Sequence, residues 1–386
     1  MKEYVHSFTI KVQLTREEHD SLLNTRRFSF DSNKSEYEMM LDYLDSRIMI
    51  EGDSLVRLMP KIILNSMYEL KIVVTVANLL NHYRIIGGCT DQSEMENACK
   101  MLDEIIKRIE ELLDVNLLER TELYQVNLAK DIITPNEFYA QEVIKATQNA
   151  FDFYGFQKIN LIDDFAHQKE NNEGEDVIVI FCEDISGEIY RVKRKLILYG
   201  SQSEIVRLGN YGLLRFMLPL DAGTLMNDYS TKKYICSGLL SKLLYQITVD
   251  GNMLFNKYFG NFFYDGAMLS RKVLKKYLKI NCEKNLKKKR IKEMIDLSDW
   301  ITKMGPVDLM LFAPRDEIST KLEEFKNIKI SPVYVNKRCP YIPSFSDMIN
   351  DTIDDELLAF ALQATEHKCE ELTYWDHAIT TVDVSD

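Results

Sequence analysis

From Tyr4 to Leu14 polar and apolar side chains alternate, a period of two that predicts a β-strand. The same reading gives strands over 47–50 and 54–63, broken at the turn dipeptide Gly52-Asp53, and over 122–133, ended by Thr134-Pro135. Residues 176–183 and 188–199 read as a hairpin about Ser186-Gly187, and 211–220 as a further strand closed by Pro219. Residues 70–81 are apolar, and period alone leaves their type open.

Elsewhere the period lengthens. Between about Ser93 and Val115, the residues Met95, Cys99, Leu102, Ile105, Ile106, Ile109, Leu112 and Leu113 fall on one stripe, which predicts an amphipathic helix. Ser93 with Glu96 reads as its capping box. Residues 37–44 have the spacing of a shorter helix, and a helix over 137–153 stops at Gly155. Further on, 239–249, 267–280 and 286–300 suit helices. From about Ser331 prolines and acids accumulate, as in a loose extension. This order predicts an α+β chain: an antiparallel or mixed sheet flanked by helices, then a helical region. The expected divisions are a sheet-based domain over 1–235, a helical region with a basic segment over 236–330, and an acidic C-terminal extension over 331–386.

Composition narrows the class. The chain has 386 residues, 46% of them hydrophobic, with only 15 Gly and 8 Pro, which suits a packed core and excludes collagen-like or largely disordered sequence. Its seven cysteines form no Cys-x-x-Cys pair, so reduced, buried thiols are expected rather than a disulfide framework. No apolar run approaches the roughly 18 residues of a membrane span. The strand-like start does not read as a signal peptide, so a cytoplasmic protein without a membrane partner is expected.

Charge changes the picture more. The net charge of −12 argues against nucleic acid, yet from Arg271 to Glu293 eleven Lys/Arg face two acids. Lys272, Lys275, Lys276 and Lys279 have helical spacing. They form either a solvated helix face or a phosphate-contacting surface.

Several chemistries are excluded by their motifs. There is no phosphate-binding loop, no G-x-S-x-G elbow, no third glycine after Gly87-Gly88, and no pair of histidines spaced for a metal. His82, in an apolar stretch, reads as structural. Tyr190 and Tyr199 border the basic run Arg191, Lys193, Arg194 and Lys195. A phenolic oxygen can attack a phosphodiester and conserve the bond energy in a covalent intermediate. Equally, tyrosines favour strands for packing alone.

Four segments in order resemble the phage and plasmid proteins that start rolling-circle DNA replication. They are Ile50-Glu51-Gly52-Asp53-Ser54 through Pro60-Lys61-Ile62-Ile63 and Asn65; Tyr124-Gln125-Val126-Asn127-Leu128-Ala129-Lys130-Asp131-Ile132; Leu198-Tyr199-Gly200-Ser201-Gln202-Ser203-Glu204; and Gly212-Leu213-Leu214-Arg215-Phe216-Met217-Leu218. A fifth is Phe259-Gly260-Asn261-Phe262-Phe263, so the resemblance covers about 45–275. It implies a replication-initiator nuclease-like fold that binds an origin and nicks one strand through Tyr199, with Tyr190 in reserve. It further implies Mg²⁺ or Mn²⁺ held by Asp131, Asn127 and Glu204, and DNA contacts from Arg191, Arg194, Lys195, Arg215, Lys272, Lys275, Lys276 and Lys279. The implied partners are origin DNA with a single-stranded nick site, a second copy of the chain, and a host helicase. Where the family has Asp, Glu, Arg and Lys, this chain has Asn127, Met217, Gln125 and Ser201. A thioether does not suit a hard cation. Two alternatives therefore stand beside the nicking endonuclease: a catalytically inactive origin-binding protein of the same fold, and a mobile-element interaction protein without DNA activity.

Overall fold

A computed structural model describes residues 3–31, 36–39, 60–79, 91–148, 176–181, 186–192, 212–229, 237–262, 266–282, 288–312 and 315–365. It divides into two compact units, one of residues 2–129 with 219–251, the other of 130–218 with 252–386 and Met1. The chain leaves the first unit at Ala129 and returns at Pro219. Neither unit is therefore a continuous stretch bounded at 235 or 330. The architecture is mixed α/β with antiparallel strand ladders, as the alternating and helical periods predict.

In the first unit β1 (Tyr4–Gln13), β2 (Phe28–Asp31), β3 (Glu36–Met39), β4 (Lys61–Asn65) and β5 (Glu69–Thr75) join β6 (Thr121–Thr134) in the order β2-β3-β4-β5-β1-β6. Alternation sets the two faces. Phe8, Ile10, Val12, Leu70, Ile72, Val74, Ile62 and Leu64 are buried. The opposite positions carry an ionic ladder, with Lys11 on Glu69 at 3.1 Å and Lys61 on Glu38 at 2.7 Å. A bulge in the β1–β6 ladder skips Tyr124, so Tyr124 and Gln125 are both half-buried and the alternation slips there. The expected helix over 37–44 is corrected where it is described: Glu36–Met39 is a strand, because Tyr37 pairs with Phe30 on one side and Leu64 on the other. Local spacing loses to two ladders of backbone hydrogen bonds. Residues 40–59, with the strand expected over 47–50 and most of that over 54–63, lie outside the described residues; the end of the latter, 61–63, is in β4.

The helices of this unit are α1 (Arg16–Asn24), α2 (Val76–Leu79), α3 (Gln92–Leu113), α4 (Ala222–Tyr229) and α5 (Ser237–Val249), with a 3-10 turn at Leu118–Arg120. The ambiguous apolar segment from 70 thus splits into strand β5 and helix α2. Helix α3 buries Met95, Cys99, Leu102, Ile105, Ile106, Ile109 and Leu113 against α5. Its cap is Asp91 rather than the expected Ser93–Glu96 box, since the Asp91 carboxylate accepts from the Ser93 amide at 2.6 Å. A true capping box sits on α1, where Thr15 and Glu18 satisfy each other's amides at 3.2 and 2.7 Å.

Glu18 also accepts from both Arg120 guanidinium nitrogens, at 2.7 and 3.1 Å. The Arg120 hydrogen bonds hold the Glu18 carboxyl below the usual glutamate range, against some desolvation. A depressed folded pKa contributes stability that is present above the unfolded value and lost as pH falls through the folded one. Glu18→Gln is therefore expected to cost about 0.5–1 kcal/mol at neutral pH and to converge with the parent in acid. Urea titrations at stepped pH check this, and a constant gap across pH would refute it.

In the second unit β7 (Asp176–Phe181) and β8 (Ser186–Val192) form a hairpin, and β8 pairs with β9 (Gly212–Asp221). The hairpin was legible, but its turn was not: Ser186 and Gly187 lie in the ladder, opposite Phe181 and Ile180. Strand β9 runs through Pro219 instead of closing there. The helices are α6 (Glu137–Gln148), α7 (Gly251–Phe262), α8 (Arg271–Cys282), α9 (Lys288–Phe312), α10 (Arg315–Asn327), α11 (Phe345–Asn350) and α12 (Asp355–Thr365).

Two expectations are corrected in this unit. The helix expected from Ala267 begins at Arg271, because Met268–Leu269 form β10 and pair with Tyr341–Ile342, β11. The backbones approach so closely that a Cβ on Gly266 would lie 2.5 Å from the Ile330 carbonyl carbon. The supposedly loose segment after Ser331 is packed: Val333, Val335, Cys339, Tyr341, Ile342, Phe345, Met348 and Ile349 are buried. Among the described residues no helix is long and apolar enough to cross a membrane.

Candidate nucleic-acid interface

The pairing of β6 and β9 in one sheet brings two of the expected site residues together in the second unit. Asp131 on β6 is fully buried, and its two oxygens accept from Arg215 Nε at 2.8 Å and Nη2 at 3.1 Å. The sequence reading gave these residues separate tasks, one on a metal and one on phosphate. The fork geometry instead makes them a buried ion pair, with the Arg215 side chain 14% exposed. The next strand continues the row: Tyr190 on β8 stands opposite Arg215, Glu188 opposite Met217, and Arg191 opposite Leu214.

Tyr199, Glu204, Arg194 and Lys195 lie outside the described residues. Asn127 belongs to the first unit. Its amide donates to Ser7 Oγ at 2.8 Å and its carbonyl accepts from Gln125 at 2.8 Å, so both ends are engaged. Near it Tyr124 has Lys11 at 5.0 Å and Lys71 at 5.1 Å from its ring centroid. Each ammonium also meets a carboxylate, Lys11 on Glu69 and Lys71 on Glu36 at 3.8 Å. This face is charged but balanced.

Lys130, the neighbour of Asp131, is as buried as Asp131 is. Its ammonium donates to the Ile349 carbonyl and meets Asp351 at 3.2 Å, at the C-terminal end of α11, where a cation suits the helix dipole. No pattern in the sequence flagged it, because its partners lie 219 and 221 residues away.

The basic segment makes two helices. On α8, Val273, Leu274 and Leu278 are buried, and Tyr277 meets Phe360 of α12 edge-on at 5.4 Å. Lys272, Lys276 and Lys279 are exposed, and Lys275 is half-buried. Arg271 at the start of α8 grips Asp299 of α9 through one guanidinium edge, Nε and Nη2 each donating to one carboxylate oxygen. Arg271 in turn holds the Asp299 carboxyl below the usual aspartate range, opposed by desolvation and helped by Lys275 and Lys303. At the other end Arg290 joins Glu324 at 2.6 Å and Glu293 at 3.1 Å. The arginines thus tie the helices to their neighbours, while Lys272, Lys276, Lys279, Lys288, Lys289 and Lys292 remain at the surface.

The described site residues do not by themselves make a divalent-cation site, and Glu204 lies outside them. Asp131 is already neutralised by a guanidinium, Met217 offers a buried thioether, and Asn127 offers an engaged amide. Among the described residues no three His, Cys, Asp or Glu side chains cluster as a metal site. No protein-family model matches the chain, and no curated protein matches it in sequence.

Proposed function

We propose that the chain is an origin-binding protein of the rolling-circle replication-initiator type, holding DNA through the lysine face of α8. One observation carries this reading: α8 buries its apolar stripe and leaves Lys272, Lys276 and Lys279 at the surface in a chain of net charge −12. Ammonium groups in such a row neutralise phosphates and release counterions, which supplies affinity without base contacts. The four ordered segments resembling the initiator family support the choice of DNA over another polyanion. Binding is put ahead of nicking because the carboxylate assigned to the metal, Asp131, is committed to Arg215.

A second reading, strand nicking through a tyrosine with Mg²⁺ or Mn²⁺, draws on one feature. The backbone of Tyr190 stands in register with Arg215, the residue that pairs with Asp131. One experiment separates the two. Labelled duplex is titrated with protein at 50 and 200 mM salt, and supercoiled DNA is incubated with protein and Mn²⁺. Binding that weakens steeply with salt, with no protein–DNA adduct on a denaturing gel, is the expected result. An adduct abolished by Tyr190→Phe would replace the binding reading with the nicking one. No binding at low salt would overturn both in favour of a mobile-element interaction protein.

A further inference from the structure

We infer that one exposed stripe of α9 is a binding surface for single-stranded nucleic acid, with Trp300 as the platform on which an unpaired base stacks. The inference rests on the DNA-binding reading and deepens it, by naming the strand state that this second helix selects. It starts from helical geometry. Lys289, Lys292, Asp296, Trp300 and Lys303 recur at the spacing of a single face. All five are exposed. The opposite face is anchored: Ile291, Met294, Leu297 and Ile301 are buried, and Ser298 Oγ donates to the Pro332 carbonyl at 2.6 Å. The stripe is therefore held outward by the packing of its own helix.

Among the described residues Trp300 is the exposed aromatic of this stripe. Its side chain is 52% exposed, and Met304, one turn on, is 43% exposed. A large flat indole left in water on a helix that buries Ile291, Met294, Leu297 and Ile301 forgoes the stabilisation that cover would give it. The cover must suit the surroundings. Three lysines share the stripe with the indole against one carboxylate, Asp296, while Asp299 beside it is already held by Arg271. Cations around an aromatic face fit a polyanion that carries flat apolar rings, which is a single nucleic-acid strand. A duplex hides its base faces and can use only the lysines. From Lys289 to Lys303 the stripe runs about 21 Å along the helix, enough for several nucleotides. An acidic protein segment would use the same lysines but has no need of the indole.

The test uses the full chain with Trp375→Phe, which leaves Trp300 as its one tryptophan. Fluorescence is followed during titration with a 20-residue oligothymidylate, with the same sequence in duplex, and with polyglutamate. The expected result is saturable quenching by the oligothymidylate alone. Trp300→Ala is expected to weaken that binding by about five-fold to over a hundredfold, leave duplex binding unchanged, and be rescued largely by Trp300→Phe. Oligothymidylate binding without quenching, and equal in Trp300→Ala, would overturn the stacking surface and leave the DNA-binding reading intact. Equal quenching by polyglutamate would assign the stripe to an acidic protein partner. Absence of binding to either DNA form at low salt would remove both readings together.

Discussion

Replacing Arg215 by methionine should destabilise the second unit by about 3–5 kcal/mol, because it strips the counter-charge from a buried carboxylate. The Asp131 side chain has no exposed surface, and both its oxygens accept from Arg215. Removing both charges together is a different perturbation. Asp131→Leu with Arg215→Met should recover most of the loss, since no ion is then left desolvated. Denaturant unfolding of the two single variants and the double variant measures the coupling. The same set tests the metal assignment. If Asp131 serves a cation rather than the fold, Arg215→Met stays near parental stability and gains affinity for Mn²⁺. A fold that needs the pair shows the opposite.

The second large effect concerns α8. Lys272→Gln, Lys276→Gln and Lys279→Gln together should make the dependence of log affinity on log salt shallower by about 2.7, from about 0.9 for each lost phosphate contact. Duplex affinity at 0.1 M salt should fall about 500-fold by the same counterion arithmetic, taken from a 1 M reference. These lysines are exposed, so the triple variant should melt close to the parent. An unchanged salt slope would mean that α8 presents its lysines to water alone. Reading the slope rather than a single affinity separates lost phosphate contacts from a general loss of active protein.

Elements with many repeats of their own period were legible from the chain. Strand β1 was expected over 4–14 and runs Tyr4–Gln13, and the stripe from Met95 to Leu113 is the buried face of α3. Both carry their signal within one element. The failures cluster where composition was averaged or where partners are distant. Prolines and acids after 331 obscured Tyr341, Ile342, Phe345 and Ile349, which a reading position by position would have marked as core. The spacing over 37–44 fits a helix, yet Glu36–Met39 is a strand, because so short a run cannot distinguish the two periods without its ladder partners.

The sequence by itself determined the class, the alternation of the long strands, the amphipathic helices, and the concentration of positive charge between Arg271 and Lys292. Each of these follows from side chains within a few turns of one another, where spacing alone dictates which face meets water. Only the tertiary structure decided what the charged residues do. Arg215 finds Asp131 across 84 positions, Lys130 finds Asp351 across 221, and Arg271 finds Asp299 on the next helix. Such pairs close through the register of ladders and the docking of helices, which no local pattern encodes. They engage Arg215, Lys130 and Arg271 and leave at the surface the lysines Lys272, Lys276 and Lys279 of α8 and the Trp300 stripe of α9.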